Sequence, residues 1–146
     1  MSSSSDDKEI VRRVFEAFYA VDSDTLRELL SSDFVGHSMP PGFSNDREGW
    51  IEMAKEWAAG FSDDDTTVDE FLAAEDGMVV TRFTSRANHS GDAFGIPASN
   101  RRITLTGIEI YAVADGKVTD WWGEMNLSEL LTAPEAATSG VDQRLG

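Results

Sequence analysis

The chain contains no cysteine, which removes disulfides, thiol nucleophiles and thiolate metal ligands from consideration. Histidine is almost as scarce: only His37 and His89 occur among 146 residues. They stand far apart in sequence without a short ligand spacing, so no metal site is expected. Positive charge is also sparse, with 12 basic residues against 27 acidic ones and a formal net charge of -15. Nucleic acid and anionic membrane surfaces repel such a chain, and neither is expected as a partner. No apolar run is long enough to span a bilayer, and Met1 to Asp7 lacks the basic start and apolar core of an export signal. A cytoplasmic location is therefore the expectation. Phosphate-binding glycine loops, dinucleotide fingerprints and serine-elbow motifs are missing too, so no cofactor is expected.

Lysine occurs only at Lys8, Lys55 and Lys117, while Asp outnumbers Glu. Such a bias suits a halophile's surface, kept hydrated in concentrated salt, and equally an ordinary acidic cytosolic protein. Against these absences stand 40% hydrophobic and 10% aromatic residues. That is enough apolar surface to offset the entropy of ordering a single domain of this length.

Ile10, Val11, Val14, Phe15, Phe18 and Tyr19 recur at three- and four-residue spacing, which predicts an amphipathic helix from Lys8, opened by Asp6 and Glu9 as a capping box. A short second helix through Leu26, Leu29 and Leu30 starts near Asp22 to Asp24. Phe34 to Phe43 carries Gly36, Pro40, Pro41 and Gly42 and reads as a loop. Asn45 with Glu48 caps a third helix whose apolar face is Trp50, Ile51, Met53, Ala54 and Trp57, ending near Gly60. After an acidic turn at Asp63 to Asp65 the pattern becomes strands: Val68–Ala74, Met78–His89, Arg101–Val113 and Lys117–Asn126, with Asp76-Gly77 and Asp115-Gly116 as turns. Helices followed by an antiparallel meander argue for an α+β domain over 8–131, with helices covering one face of a curved sheet and a hollow beneath them. Residues 1–7 and 132–146 are expected to be flexible termini.

The run His89-Ser90-Gly91-Asp92-Ala93-Phe94-Gly95-Ile96-Pro97, the strand Arg101 to Tyr111, and the ending Asp115-Gly116-Lys117-Val118, Trp122-Gly123-Glu124 and Leu127, Leu130, Leu131 resemble the SnoaL-like polyketide cyclases. Asp33-Phe34-Val35-Gly36-His37 with Pro40-Pro41-Gly42 resembles that family's first loop. The resemblance implies a cone-shaped, nuclear-transport-factor-like fold with an apolar pocket, and cofactor-independent acid-base chemistry by a carboxyl near the end of the last strand. The position matching that acid is Asn126, whose amide cannot shuttle protons.

Strict alternation along the last strand groups Val118, Asp120, Trp122, Glu124 and Asn126 on one face, and Thr119, Trp121, Gly123 and Met125 on the other. The first group is expected to look into the pocket. Glu124 is then the candidate acid and base, with Asn126 and His37 orienting oxygens, because an apolar pocket raises a carboxyl pKa toward neutrality. The alternative is that Glu124 is a polar residue at the pocket rim. Trp122, Phe94, Trp50 and Tyr111 are expected to contact an apolar carbonyl ligand. Glu109 is either a second pocket carboxyl or an ion-pair partner of Arg82 or Arg102. His89 is expected to anchor the following loop, and Trp121 to face a subunit interface in a homodimer formed through the sheet. A non-catalytic binding module of the same fold remains the competing reading, motivated by Asn126.

Overall fold

The first helix, α1 (Ser4–Ala20), buries Val11, Val14, Phe15 and Ala17 on the stripe that its apolar spacing foretells. A computed structural model describes residues 4–132 of the chain. The helix begins at Ser4 rather than at Lys8, so residues 4–7 belong to it, with Asp6 and Asp7 in its first turn where the helix dipole favours acids. Residues 1–3 and 133–146 lie outside the described part.

Asp22 caps α2 (Ser23–Leu29) by accepting from the Thr25 N–H at 3.2 Å. Asp46, not Asn45, caps α3 (Arg47–Gly60), accepting from the Gly49 N–H at 2.9 Å. Between these two helices runs β1 (Leu30–Gly36), which takes in Leu30, expected in the second helix, and Phe34 to Gly36, expected as the start of a loop. Its register with the last strand breaks between Leu30 and Val35, so no clean alternation marks it in the sequence.

The remaining strands are β2 (Phe61–Ala73), β3 (Met78–His89), β4 (Arg102–Ala114) and β5 (Lys117–Asn126), and a short α4 (Ser128–Leu131) follows. The five strands lie in the order β1-β5-β4-β3-β2. β1 runs parallel to β5 and the other pairs are antiparallel, so the sheet is mixed rather than a pure meander. The expected acidic turn at Asp63 to Asp65 is a bulge inside β2, with Asp63 at φ 49°. Asp115 and Gly116, at φ 54° and 78°, supply the two positive φ angles that a tight two-residue hairpin demands.

The two long helices, α1 and α3, and the shorter α2 cover one sheet face. Trp50, Ile51 and Met53 of α3 and Val11, Val14 and Phe15 of α1 meet Val79, Phe83, Tyr111, Val113 and Trp121 in the main core. Each such large apolar side chain removed from water contributes about 1.5–3 kcal/mol. A second cluster, including Trp57, Phe61, Ile103, Leu105 and Leu130, closes the far end. The opposite sheet face stays open: Leu72 and Ile108 are 54% and 52% exposed. No helix among the described residues is long and apolar enough to cross a membrane.

Candidate active site

Along β4 the buried residues are Ile103, Leu105, Gly107, Tyr111 and Val113, and this alternation carries Glu109 onto the covered face. Its Oε1 accepts from the Tyr111 hydroxyl at 2.8 Å and from the Thr81 hydroxyl at 3.4 Å, while Oε2 accepts from the Trp121 indole N–H at 3.1 Å. Burial raises the Glu109 pKa from 4.5 to about 7, against the pull of these three donors toward the charged form. Burial, with the neighbouring carboxyl, likewise pushes the Tyr111 hydroxyl well above its ordinary value.

No cation among the described residues offsets this charge. Arg82 faces Asp69 and Glu70 instead, and Arg102 bonds the Asp63 and Arg86 carbonyls and Asn88. The ion-pair alternative for Glu109 is thereby removed. What remains is a carboxyl poised between its two protonation states at neutral pH, held by neutral donors.

Glu109 borders a hollow of about 480 Å³. Helix α1 contributes Phe15, Phe18 and Tyr19 to its wall, and α3 contributes Trp50, Met53 and Trp57. Two loops complete the wall: residues 37–46 bring Ser38, Pro40 and Pro41, and residues 90–101 bring Phe94 and Ile96. The second loop is tied down by the Phe94 N–H donating to Glu56 at 2.9 Å and the Ala98 N–H donating to Asp92 at 3.0 Å. His89 anchors its far end, its Nδ1 accepting from the Ser99 N–H at 3.3 Å. Among the described residues no Lys, Arg or His lines the hollow. The Ser38 hydroxyl accepts from the Gly123 N–H at 3.1 Å and so keeps its own proton to donate, and the buried Trp50 indole N–H has no acceptor among the described residues.

The last strand presents the opposite face from the one expected. Ala112 pairs with Asp120 but Val113 pairs with Val118, so Thr119 is an extra residue in β5. That bulge reverses the alternation: Val118 is buried before it, and Trp121, Gly123 and Met125 face the hollow after it. Trp121, 6% exposed, is a core residue rather than an interface residue. Trp122 points to the open face, where its ring stacks on His37 at 4.5 Å and 5°. His37 Nε2 meets Asp120 Oδ2 at 2.9 Å, which holds the Asp120 carboxyl below its ordinary pKa. Neither His37 nor Trp122 lines the hollow.

Glu124 borders the hollow but is exposed, and pairing with Ile108 puts its side chain on the outer face. Its assignment as acid and base is thus corrected: no apolar shell surrounds that carboxyl. Asn126 is exposed as well, and its Oδ1 accepts from the Ser128 N–H at 3.0 Å and hydroxyl at 2.7 Å, just ahead of α4. Of the residues singled out in the sequence, Glu109, Tyr111, Trp50 and Phe94 come together around the hollow with Glu124 at its rim, and Asn126, His37 and Trp122 do not line it. Ser38, Tyr19 and Trp121 belong to the site and were not foreseen. Among the described residues no group of three or more His, Asp and Glu could hold a metal ion.

A fold comparison finds TsrD from Streptomyces laurentii at 25% identity and TM-score 0.78, covering 89% of this chain and 95% of that one. IdmH from Streptomyces antibioticus, a proposed polyketide cyclase, is 31% identical with TM-score 0.73, covering 92% and 99%. AclR from Streptomyces galilaeus, a proposed hydroxylase, shares the fold at 24% identity and TM-score 0.74, covering 88% and 95%. No curated protein sequence matches. The family model described as SnoaL-like polyketide cyclase matches residues 8–133. With a model spanning nearly the whole domain and a cone-fold relative above 30% identity, this chain belongs to the SnoaL-like polyketide cyclase family.

Proposed function

We propose that the protein is a cofactor-independent cyclase or isomerase that moves a proton on an apolar carbonyl compound, with Glu109 as its acid and base. The observation that carries this reading is the Glu109 carboxyl, raised to about 7 inside a largely apolar hollow. As carboxylate it takes a proton from the carbon next to a substrate carbonyl, and the C–H electron pair becomes an enolate. The enolate carbon attacks a second carbonyl carbon of the same molecule, one C–C bond forms, and the new alkoxide takes the proton back from Glu109. In the isomerase case the proton returns to a different carbon of the enolate. Tyr111 and Trp121 steady the carboxyl, while Ser38 and Trp50 are the donors available to substrate oxygens. We also propose a homodimer through the outer sheet face, on which Leu72, Ile108 and Trp122 lie uncovered by helices.

The competing reading is a binding module without turnover, favoured by Asn126 standing at the acid position with its side-chain oxygen bonded to Ser128. Exchange of the α-protons of 2-tetralone in D2O, followed by proton NMR, separates the two. Acceleration by the parent protein and its loss in Glu109→Gln supports the enzyme reading. Equal rates for parent and variant remove Glu109 from the role, and saturable binding without any acceleration favours the module.

A further inference from the structure

A second cavity, of about 680 Å³, opens between α1, the end of α3 and β2. Phe15, Tyr19 and Trp57 border both this cavity and the hollow that holds Glu109. Its character differs from the hollow's. Five aromatic rings line it, those three together with Phe61 and Phe71, and a carboxylate, Asp64, stands among them.

Every hydrogen bond that Asp64 receives comes from a neutral group. Oδ2 accepts from the Trp57 indole N–H at 2.7 Å, and Oδ1 accepts from the hydroxyls of Thr66 and, at 2.9 Å, Ser85. Among the described residues no Lys, Arg or His makes an ion pair with it, although it is half-buried. A carboxylate removed from water and left without a countercharge attracts a cation. Glu16 adds a second acidic group to the lining, and the net charge of -15 adds a favourable background.

The rings supply the other half of an ammonium site. Aromatic faces bind organic cations through their quadrupole, and more strongly where water is excluded. One cation already uses this cavity in that way: the Arg12 guanidinium lies 4.9 Å from the centre of the Phe71 ring. Its carboxylate partner is Glu9 on the exposed helix surface, at 2.8 Å, not Asp64. Arg12 is thus a removable occupant of the rim rather than the countercharge of the interior.

From this geometry we propose that the second cavity is a binding site for a small organic ammonium ion, seated on Tyr19 and Phe71 with Asp64 as its countercharge. This assignment is independent of the chemistry proposed for Glu109.

The test is titration of the full chain with choline and with its neutral isostere 3,3-dimethylbutan-1-ol at constant ionic strength, by calorimetry and by amide NMR. The expected result is choline binding with a Kd on the order of millimolar. Its shifts should centre on Asp64, Thr66 and Phe71, and the neutral isostere should bind at least tenfold more weakly. Asp64→Asn, which keeps the side-chain volume, should weaken choline about tenfold; Arg12→Ala, at an exposed position, should tighten it. Circular dichroism of each variant guards against unfolding, and Arg12→Ala carries the test alone should Asp64→Asn not fold. Equal binding of the isostere, shifts centred on Glu109 and Gly123, or no binding of choline to the parent and to Arg12→Ala would each overturn the proposal.

Discussion

The indole N–H of Trp121 reaches Oε2 of Glu109 at 3.1 Å by lying over Gly123, the residue paired with Glu109 across the β4–β5 ladder. A Cβ on Gly123 would stand 2.5 Å from Trp121 Cζ2. Glycine at that position is what lets the indole extend along the strand to the carboxyl. The extra residue at Thr119 is what turns Trp121 inward at all. Sequence, bulge and missing side chain act together to hold one carboxyl in a largely apolar hollow.

Gly123→Ala should therefore push the indole off Glu109. Overpacking of this kind costs about 1–3 kcal/mol, seen as a lower urea midpoint. Ligand affinity for the hollow should fall with it. A variant as stable as the parent, with Trp121 unmoved in a crystal structure, would contradict the argument.

Tyr111→Phe removes a donor that favours the charged form of Glu109. The Glu109 pKa should rise further, and any rate limb that depends on its carboxylate should move to higher pH. Because the ring stays in the core, stability at low pH should change little. A limb shifted to lower pH would be the wrong sign.

Glu109 also makes stability depend on pH in an unusual direction. Its folded pKa lies above its unfolded value, so the native state binds the proton more tightly. The stabilisation is complete below pH 4.5 and is lost as pH rises toward about 7, by roughly 2–3 kcal/mol. Urea unfolding at several pH values should show this decline as the difference between the parent and Glu109→Gln. Parallel curves for the two proteins would mean that Glu109 is not perturbed.

The helices were legible because α1 and α3 carry their apolar residues at helical spacing, and that pattern depends on no distant partner. β1 was not legible: a seven-residue edge strand takes its identity from pairing with β5, with Gly36 opposite Trp121. The face of β5 was misread for a related reason. Nothing in Val118-Thr119-Asp120 marks a bulge locally, yet one extra residue exchanges Trp121 for Trp122 and leaves Glu124 exposed at the rim of the hollow. In β4 the alternation is unbroken from Ile103 to Val113, and it does put Glu109 on the covered face beside Tyr111. The role of Asp64 needed the fold, since Trp57 and Ser85 approach it from α3 and β3.

The proposed homodimer places Ile108, 52% exposed, at the centre of the open sheet face beside Glu124 and Arg82. Ile108→Arg should convert a dimer to a monomer by sedimentation velocity while leaving circular dichroism unchanged. A parent protein that sediments as a monomer at micromolar concentration would remove the dimer from the account.

The central claim is that one carboxyl in the hollow changes protonation near neutral pH. Carbon-13 NMR of protein labelled at the glutamate side-chain carboxyl, titrated between pH 3 and 9, reads this directly. One resonance, absent from Glu109→Gln, should titrate near pH 7, as the Glu109 pKa of about 7 requires. If the resonance missing from that variant instead titrates near pH 4.5 in the parent, Glu109 is an ordinary carboxylate and the account is contradicted.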